Sequence, residues 1–324
     1  MIGSFKANNP RNNFLLMLYG LALNWPLFFK SAGLTINSND TFLFQYFFGI
    51  FNKFTNDAII TGVGFFILFL QAVIINKIVT DQKMFQRNNY LTGMSYLLIT
   101  SIFHVGFTST LISVSFIIWI LSILFNLTTQ QNPRKNIFNL GLLTGVSILI
   151  FFPTFLFVLL IFLGLLIFRP FRPREWVILI LGIITPFYFV FAFGYLLDKP
   201  EWLLSPLFYF RMPKFSLTVF EISSLSITLL LVIIGFSYAQ SNMRKLLVQS
   251  RNCWTIITVF LIFALFIPFF SKTPQYYFTL FCFVPASIFT ASTFFYPEKK
   301  WFINLSHWVL VVLSVINGYF FIFH

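Results

Sequence analysis

The stretch FNLGLLTGVSILIFFPTFLFVLLIFLGLLIFR, residues 138–169, carries no charged side chain before its final arginine. A membrane-spanning helix needs about 20 apolar residues, so the stretch could form one long tilted helix or two short ones. Basic loops flank it, PRK at 133–135 and RPFRPRE at 169–175. Because basic loops face the cytoplasm, both lie on that side only if the chain crosses the membrane twice. We therefore predict a hairpin of two short helices that turns near Pro153, where a helix is expected to break.

The whole chain has the composition of a membrane protein. Of its 324 residues 58% are hydrophobic and 9% are charged, and the mean hydropathy is +0.88. This quantity of apolar side chain exceeds what a soluble core can bury, so we predict an all-α, polytopic integral membrane helix bundle. No Gly/Ser-rich or Pro-rich linker and no internal repeat divides the sequence, and residues 1–324 are therefore expected to form a single membrane domain.

About eleven segments are apolar enough to span a membrane. They are approximately residues 13–30, 58–78, 90–105, 108–127, 137–152, 154–168, 176–196, 223–241, 254–270, 275–294 and 302–322. The first follows a polar start and lacks a cleavage site, so we expect a retained span rather than a removed signal peptide. The centres of all eleven lack Asp, Glu, Lys and Arg, which disfavours an ion-coupled transporter and leaves a small-molecule facilitator open.

The loop charges predict the orientation. If the N-terminus is cytoplasmic, 15 of the 21 basic residues fall in inner loops, whereas five of the eight acidic residues fall outside. This pattern follows the positive-inside rule, and it predicts a bacterial inner-membrane protein with a periplasmic C-terminus. The net charge of +13 then reflects topology and attraction to membrane lipids. Nucleic acid is not an expected partner, because the basic residues are scattered over short loops.

Two segments on the outer side are too long for simple turns. In NDTFLFQYFFGIFNKF, residues 39–54, polar residues recur every three to four positions and aromatic or aliphatic residues fill the rest. This pattern predicts an amphipathic helix that lies along the outer leaflet. Residues 197–222 mix aromatic and polar residues and are expected to form an outer interfacial loop, followed by four C-terminal spans in residues 223–324.

Asp40, at the head of the first outer segment, allows two interpretations. As a helix cap, its side chain accepts hydrogen bonds from free backbone N–H groups and complements the helix dipole. As a general base at the membrane surface, it takes a proton from a substrate, aided by partial desolvation of its carboxylate. The residues alone leave both interpretations open.

The first part of the chain, residues 1–196, resembles the GT-C class of integral-membrane glycosyltransferases. The resemblance rests on NDTFLFQYF, with an acid in the first outer loop, and on the hydrophobic pattern of the middle spans. It implies that Asp40 is a catalytic base or a metal-binding residue and that the donor is a sugar on a polyprenyl phosphate. The sequence has no second acid beside Asp40, since Asp57 lies 17 positions further on. More broadly, the chain resembles bacterial multi-pass families of unknown function, which implies no activity.

Several other residues are candidates for substrate or lipid contact. Three cations on the outer side could hold a lipid phosphate, or could simply be tolerated in long loops: Arg211, Lys214 and Lys272. His104, at an outer turn, is either an acid–base partner or a hydrogen-bonded interfacial residue. On the cytoplasmic side, three arginines could contact lipid head groups or act only as a stop signal: Arg169, Arg172 and Arg174.

The sequence offers no support for a metal or a cofactor. Three His and two Cys without paired spacing do not indicate a metal centre, and no nucleotide-binding or serine-hydrolase motif occurs. The leading hypothesis is a GT-C-like glycosyltransferase that uses a polyprenyl-phosphate-linked sugar at the outer leaflet. The competing hypothesis is a non-catalytic membrane subunit or assembly factor of a larger envelope complex, which would bind other membrane proteins.

Overall fold

The structure, a computed structural model, describes residues 2–7, 9, 11–30, 40–41, 44–46, 48–49, 56–129, 133–196, 198, 210, 212, 218–270 and 280–323. These residues form helices and turns, with no β-strand among them. The helices are α1 (Ile2–Lys6), α2 (Asn12–Leu23), α3 (Trp25–Phe29), α4 (Asp57–Asp81), α5 (Leu91–Ile102), α6 (Ser109–Asn126), α7 (Arg134–Ile150), α8 (Leu156–Phe168), α9 (Pro173–Leu196), α10 (Val219–Asn242), α11 (Val248–Phe266), α12 (Leu280–Phe295) and α13 (Lys300–Phe323).

The predicted all-helical fold is confirmed. Six helices are long and apolar enough to cross a membrane: α4, α6, α9, α10, α11 and α13. Four further apolar helices are shorter, namely α2, α5, α8 and α12. Each of the eleven predicted spans overlaps a helix or a helix pair, but length and hydropathy together identify only six candidate spans within the described residues. These six helices are compatible with a membrane helix bundle, and the larger number of spans stays a prediction.

The predicted break at Pro153 is confirmed. Helix α7 ends at Ile150, the 3₁₀ turn Phe152–Phe155 contains the proline, and α8 begins at Leu156. Proline lacks a backbone N–H and is tolerated at the start of a turn, where that N–H would have no helical partner. Beyond the end of α8, an Arg169 guanidinium N–H donates to the carbonyl of Leu127, just past the end of α6. Because α7 also starts after α6, the chain returns to the end of the bundle from which α7 departed.

The bundle has two ends, named here after Asp40 and Arg169. At the Asp40 end, the Ser109 hydroxyl at the start of α6 donates to the Asp40 carboxylate. At the Arg169 end, Gln82 Nε2 donates to Asn126 Oδ1 at 2.9 Å, and Gln249 Nε2 donates to Gln82 Oε1 at 2.8 Å. These amide contacts join the ends of α4 and α6 to the start of α11.

Glycines bring α7 and α9 close together. A Cβ added to Gly145 would lie 2.5 Å from the carbonyl oxygen of Ile183, and one added to Gly182 would lie 2.5 Å from that of Phe138. Small residues spaced four apart, as in Gly141 and Gly145, let membrane helices approach until their backbones touch. The glycines are therefore required by the packing of this helix pair.

Polar residues within the bundle bond to one another. The Tyr96 hydroxyl donates to Gln71 Oε1 at 2.6 Å, and Gln71 Nε2 donates to Ser115 Oγ at 2.7 Å and to the carbonyl of Leu111 at 2.8 Å. The Gln71 amide is thus satisfied by α5 and α6, away from lipid. A buried polar group without such partners would cost several kcal/mol in a bilayer, so these bonds stabilise the contact of α4 with α5 and α6.

Candidate functional site at the Asp40 end

Asp40 is buried and bonded to another helix. The residue is 6% exposed, and its carboxylate accepts a hydrogen bond from the hydroxyl of Ser109, the first residue of α6. The preceding residue, Thr108, caps α6 by accepting from the backbone N–H of Leu111 at 3.2 Å. A helix N-terminus carries partial positive charge, so α6 attracts the carboxylate as well as bonding to it.

The residues after Asp40 bind the end of α7. The Thr41 hydroxyl donates to the carbonyl of Leu149 and, at 3.2 Å, to that of Ile150. Gln45 Nε2 donates to the Asp40 carbonyl at 3.0 Å. Asp40 and Thr41 therefore connect the start of α6 to the end of α7.

The predicted helix over residues 39–54 is described only in part. Residues 44–46 and 48–49 are helical, whereas residues 42 and 43, which a cap at Asp40 would bond, lie outside the described residues. Phe44 is 2% exposed, and its ring stacks on that of Phe48 with centroids 4.5 Å apart. The ring centroids of Phe48 and Phe107 are 5.6 Å apart. At these positions the apolar side of the segment faces the protein.

His104 lies in the turn between α5 and α6 with a left-handed backbone, φ 45°. Its imidazole is buried and stacks on Phe321 of α13, with ring centroids 5.2 Å apart. Burial lowers the pKa of His104 to about 4, partly offset by a hydrogen bond to the backbone of Ile102. Its Nε2 is buried without a hydrogen-bond partner among the described residues. The imidazole is therefore neutral near pH 7.

A cavity of about 210 Å³ adjoins His104. We call it the polar cavity, because Thr218, Glu221 and Asn317 line it together with His104. Four phenylalanines form much of the rest of its wall: Phe103, Phe220, Phe320 and Phe321. The cavity lies between the α5–α6 turn, the start of α10 and the last turns of α13.

The polar groups of this cavity are held by the surrounding helices. Glu221 Oε2 accepts from the backbone N–H of Thr218 at 2.8 Å, while the Thr218 hydroxyl accepts from the N–H of Glu221, forming a capping box on α10. Asn317 Nδ2 donates to the carbonyl of Ile102 at 3.1 Å and to Ser224 Oγ at 3.0 Å. The sequence analysis selected neither Glu221 nor Asn317 as a site residue. The pattern TVFE at 218–221 could have indicated Glu221, whereas Asn317 is one polar residue within an apolar helix.

The outer cations Arg211, Lys214 and Lys272 lie outside the described residues. Lys30, which sequence reasoning did not select, places its ammonium 3.0 Å from the Phe321 carbonyl oxygen and 5.5 Å from the centre of its ring.

The three candidate arginines lie at the opposite end from Asp40. Arg169 Nε lies 3.3 Å from Glu175 Oε2, and Arg172 lies 3.7 Å from Glu175 Oε1. Arg169 is largely buried, whereas Arg172 and Arg174 are exposed. Head-group contact by Arg169, Arg172 and Arg174 stays a prediction; Arg172 and Arg174 expose their guanidinium groups, whereas Arg169 also bonds within the fold.

Among the described residues, no three His, Cys, Asp or Glu side chains come close enough together to hold a metal ion. The two cysteines, Cys253 and Cys282, are free thiols in separate helices.

The sequence relationship covers most of the chain. A family model described as a family of unknown function, DUF6427, matches residues 40–324. The chain belongs to this family. The DUF6427 region begins at Asp40 and includes helices α4 to α13 and the polar cavity. No curated protein and no solved structure matches the chain.

Proposed function

We propose that this DUF6427 protein is a non-catalytic membrane subunit or assembly factor, in which Asp40 locks one end of the helix bundle. The observation that carries the proposal is the set of bonds from Asp40 and Thr41 to two helices. Asp40 accepts from Ser109 of α6, and Thr41 donates to the last carbonyls of α7.

A general base needs surroundings different from those of Asp40. A base must come within about 2.6–3.2 Å of the proton that it removes. The Asp40 carboxylate is buried and engaged by Ser109 at the N-terminus of α6, where its negative charge is stabilised. Removing one partner of such a buried hydrogen bond lowers the stability of the folded protein, as expected for a residue with a structural role.

The second candidate is a GT-C-like glycosyltransferase with Asp40 as base. The observation that favours it is the position of Asp40 at the same end of the bundle as the polar cavity, next to the turn that carries His104. In this candidate the donor is a polyprenyl-phosphate-linked sugar at the outer leaflet, and Arg211, Lys214 or Lys272 contacts the lipid phosphate. Catalytic hydrogen bonds often rearrange when substrate binds, so the contact with Ser109 is compatible with it.

Replacing Asp40 separates the two candidates. Asp40→Asn keeps an oxygen that accepts from Ser109 but cannot take a proton at neutral pH. Cells carrying Asp40→Asn as their only copy should behave like wild type, with normal protein levels and an intact complex in mild detergent. Asp40→Ala should destabilise the purified protein by about 1–3 kcal/mol, because Ser109 loses its partner.

Two further variants control for this result. Ser109→Ala should also destabilise the protein, and the double variant should cost less than the sum of the two single variants, because both changes remove the Ser109–Asp40 contact. Asp57→Asn changes an exposed acid at the same end and should have little effect. A null phenotype for Asp40→Asn at normal protein level, with activity reduced by about 10²–10⁴, would instead identify the base of an enzyme.

A further inference from the structure

A second cavity continues along the helix that carries Glu221. Its volume is about 260 Å³, and we call it the apolar cavity because almost all of its wall is hydrophobic. Glu221 lines the polar cavity, whereas Leu225, Thr228 and Val232 line the apolar one. Residues spaced by four, three and four positions share one face of a helix. At 1.5 Å per residue, this face of α10 extends about 16 Å from Glu221 to Val232.

The two cavities adjoin at a pair of aromatic rings. Phe103 lines the polar cavity and Phe283 lines the apolar one, and their rings stack with centroids 5.0 Å apart. The lining of the apolar cavity includes Leu229, Ile233 and Leu265, each more than half exposed on the surface of the bundle. It therefore opens toward the surface that apolar helices present to a bilayer.

The polar cavity has the electrostatics of a cation site. Glu221 contributes a carboxylate to its lining. Phe220 and Phe320 also line the cavity, and their rings stack with centroids 4.2 Å apart. The last turns of α13 also line the cavity, and the C-terminus of a helix carries partial negative charge. His104 is neutral and adds no opposing charge.

The ammonium group of Lys30 lies next to this cavity. The Lys30 ammonium donates to the Phe321 carbonyl and lies over the Phe321 ring, and the same residue lines the cavity. A cation over an aromatic ring is attracted by the ring's negative face. The Phe321 carbonyl and ring are therefore already occupied by Lys30, whose positive charge can face the phosphate of a head group while Glu221 takes its ammonium.

We infer that the two cavities form one binding site for a phospholipid whose head group carries a primary ammonium. The ammonium binds Glu221 and the surrounding aromatic rings, and one acyl chain lies in the apolar cavity along α10. A soluble amine would use only the polar cavity, whereas a lipid also explains the apolar cavity that follows on the same helix face.

The test uses the purified full-length protein, exposed to equal amounts of phosphatidylethanolamine, phosphatidylcholine and phosphatidylglycerol. Native mass spectrometry then measures which lipid stays bound. Phosphatidylethanolamine should be retained in preference to the other two. Glu221→Gln should reduce its retention about tenfold, because the charge is lost while glutamine can still complete the capping box. Glu298→Gln, the same change at an exposed position at the Arg169 end, should have no effect.

A second variant tests the acyl-chain part of the site. Ala286 lines the apolar cavity, and Ala286→Leu should reduce retention of phosphatidylethanolamine because the added side chain occupies the space. Equal retention of the three lipids, or unchanged retention in Glu221→Gln, would overturn the inference. Displacement by phosphoethanolamine as effective as by the whole lipid would assign the polar cavity to a soluble amine instead.

Discussion

His104 holds a backbone conformation that non-glycine residues rarely adopt. Its φ of 45° lies in the left-handed region, which costs roughly 1–2 kcal/mol for a residue with a Cβ. Stacking on Phe321 and burial between α5 and α13 offset that cost. The residue therefore fixes the turn that leads into Ser109, the partner of Asp40.

The neutral, buried state of His104 predicts a pH dependence of stability. Its pKa is about 4 in the folded protein and about 6.5 in an unfolded chain, so between these values the unfolded chain binds more protons. The contribution of neutral His104 to the free energy of unfolding is therefore fully present above about pH 6.5 and is lost as the pH falls toward 4. Thermal unfolding in detergent at pH 7.5 and pH 5 should show a loss of about 1–2 kcal/mol from this residue.

The matched variant for that measurement is His104→Asn. Asparagine tolerates a left-handed backbone and does not titrate, so its loss of stability between the two pH values should be smaller than that of wild type. Parallel losses in the two proteins would show that His104 is already protonated, or exposed, in the folded state.

At the scale of elements, the contact between α7 and α9 depends on glycine. Gly182→Ala would place a methyl group 2.5 Å from the Phe138 carbonyl and 3.0 Å from the Cα of Gly141. Both neighbours are backbone atoms, so the helices must separate. We expect a destabilisation of about 1–3 kcal/mol, measured by thermal unfolding in detergent.

The control for this prediction is Gly62→Ala in α4. A Cβ at Gly62 meets no atom within 4 Å, so the change should be neutral or should stabilise the helix by up to about 1 kcal/mol. Equal effects of the two substitutions would show that helix propensity, and not the close approach of α7 and α9, governs this pair.

Some elements follow from the sequence and others do not. The break at Pro153 was predictable, because proline and two flanking basic loops gave independent signals. The break at Asn24, which divides the predicted span 13–30 into α2 and α3, was not predicted, because hydropathy continues across it. Pro26 lies in the first turn of α3 and was the available signal.

The candidate site shows the same limit. An acid at position 40 stands out in an apolar sequence, but its partner Ser109 lies 69 positions away and looks like an ordinary residue at a helix start. Long-range packing determines that pair, and local patterns do not report it. The polar cavity was missed for the same reason, since its wall combines α5, α10 and α13.

At the scale of the whole molecule, charged side chains of the described residues occur at both ends of the bundle. Lys30, Asp40 and Glu221 lie at the Asp40 end, and Arg169 and Glu175 lie at the other. Loop charges predict that the Asp40 end faces the periplasm, because the basic inner loops then fall at the Arg169 end. The presence of charges at both ends is a property of the fold, and the side of the membrane that each end faces is a prediction from the loop charges.

The central claim, that the helices cross a membrane with the Asp40 end outside, is tested by single-cysteine labelling in intact cells. The background replaces Cys253 and Cys282 by serine, and single cysteines are placed at exposed positions. A membrane-impermeant thiol reagent should label positions 30 and 56 in intact cells, and positions 134, 172, 247 and 298 only after the membrane is opened. Labelling of 30 and 172 from the same side would contradict the bundle's two-sided arrangement, and labelling of 134 and 172 from opposite sides would contradict the hairpin at Pro153.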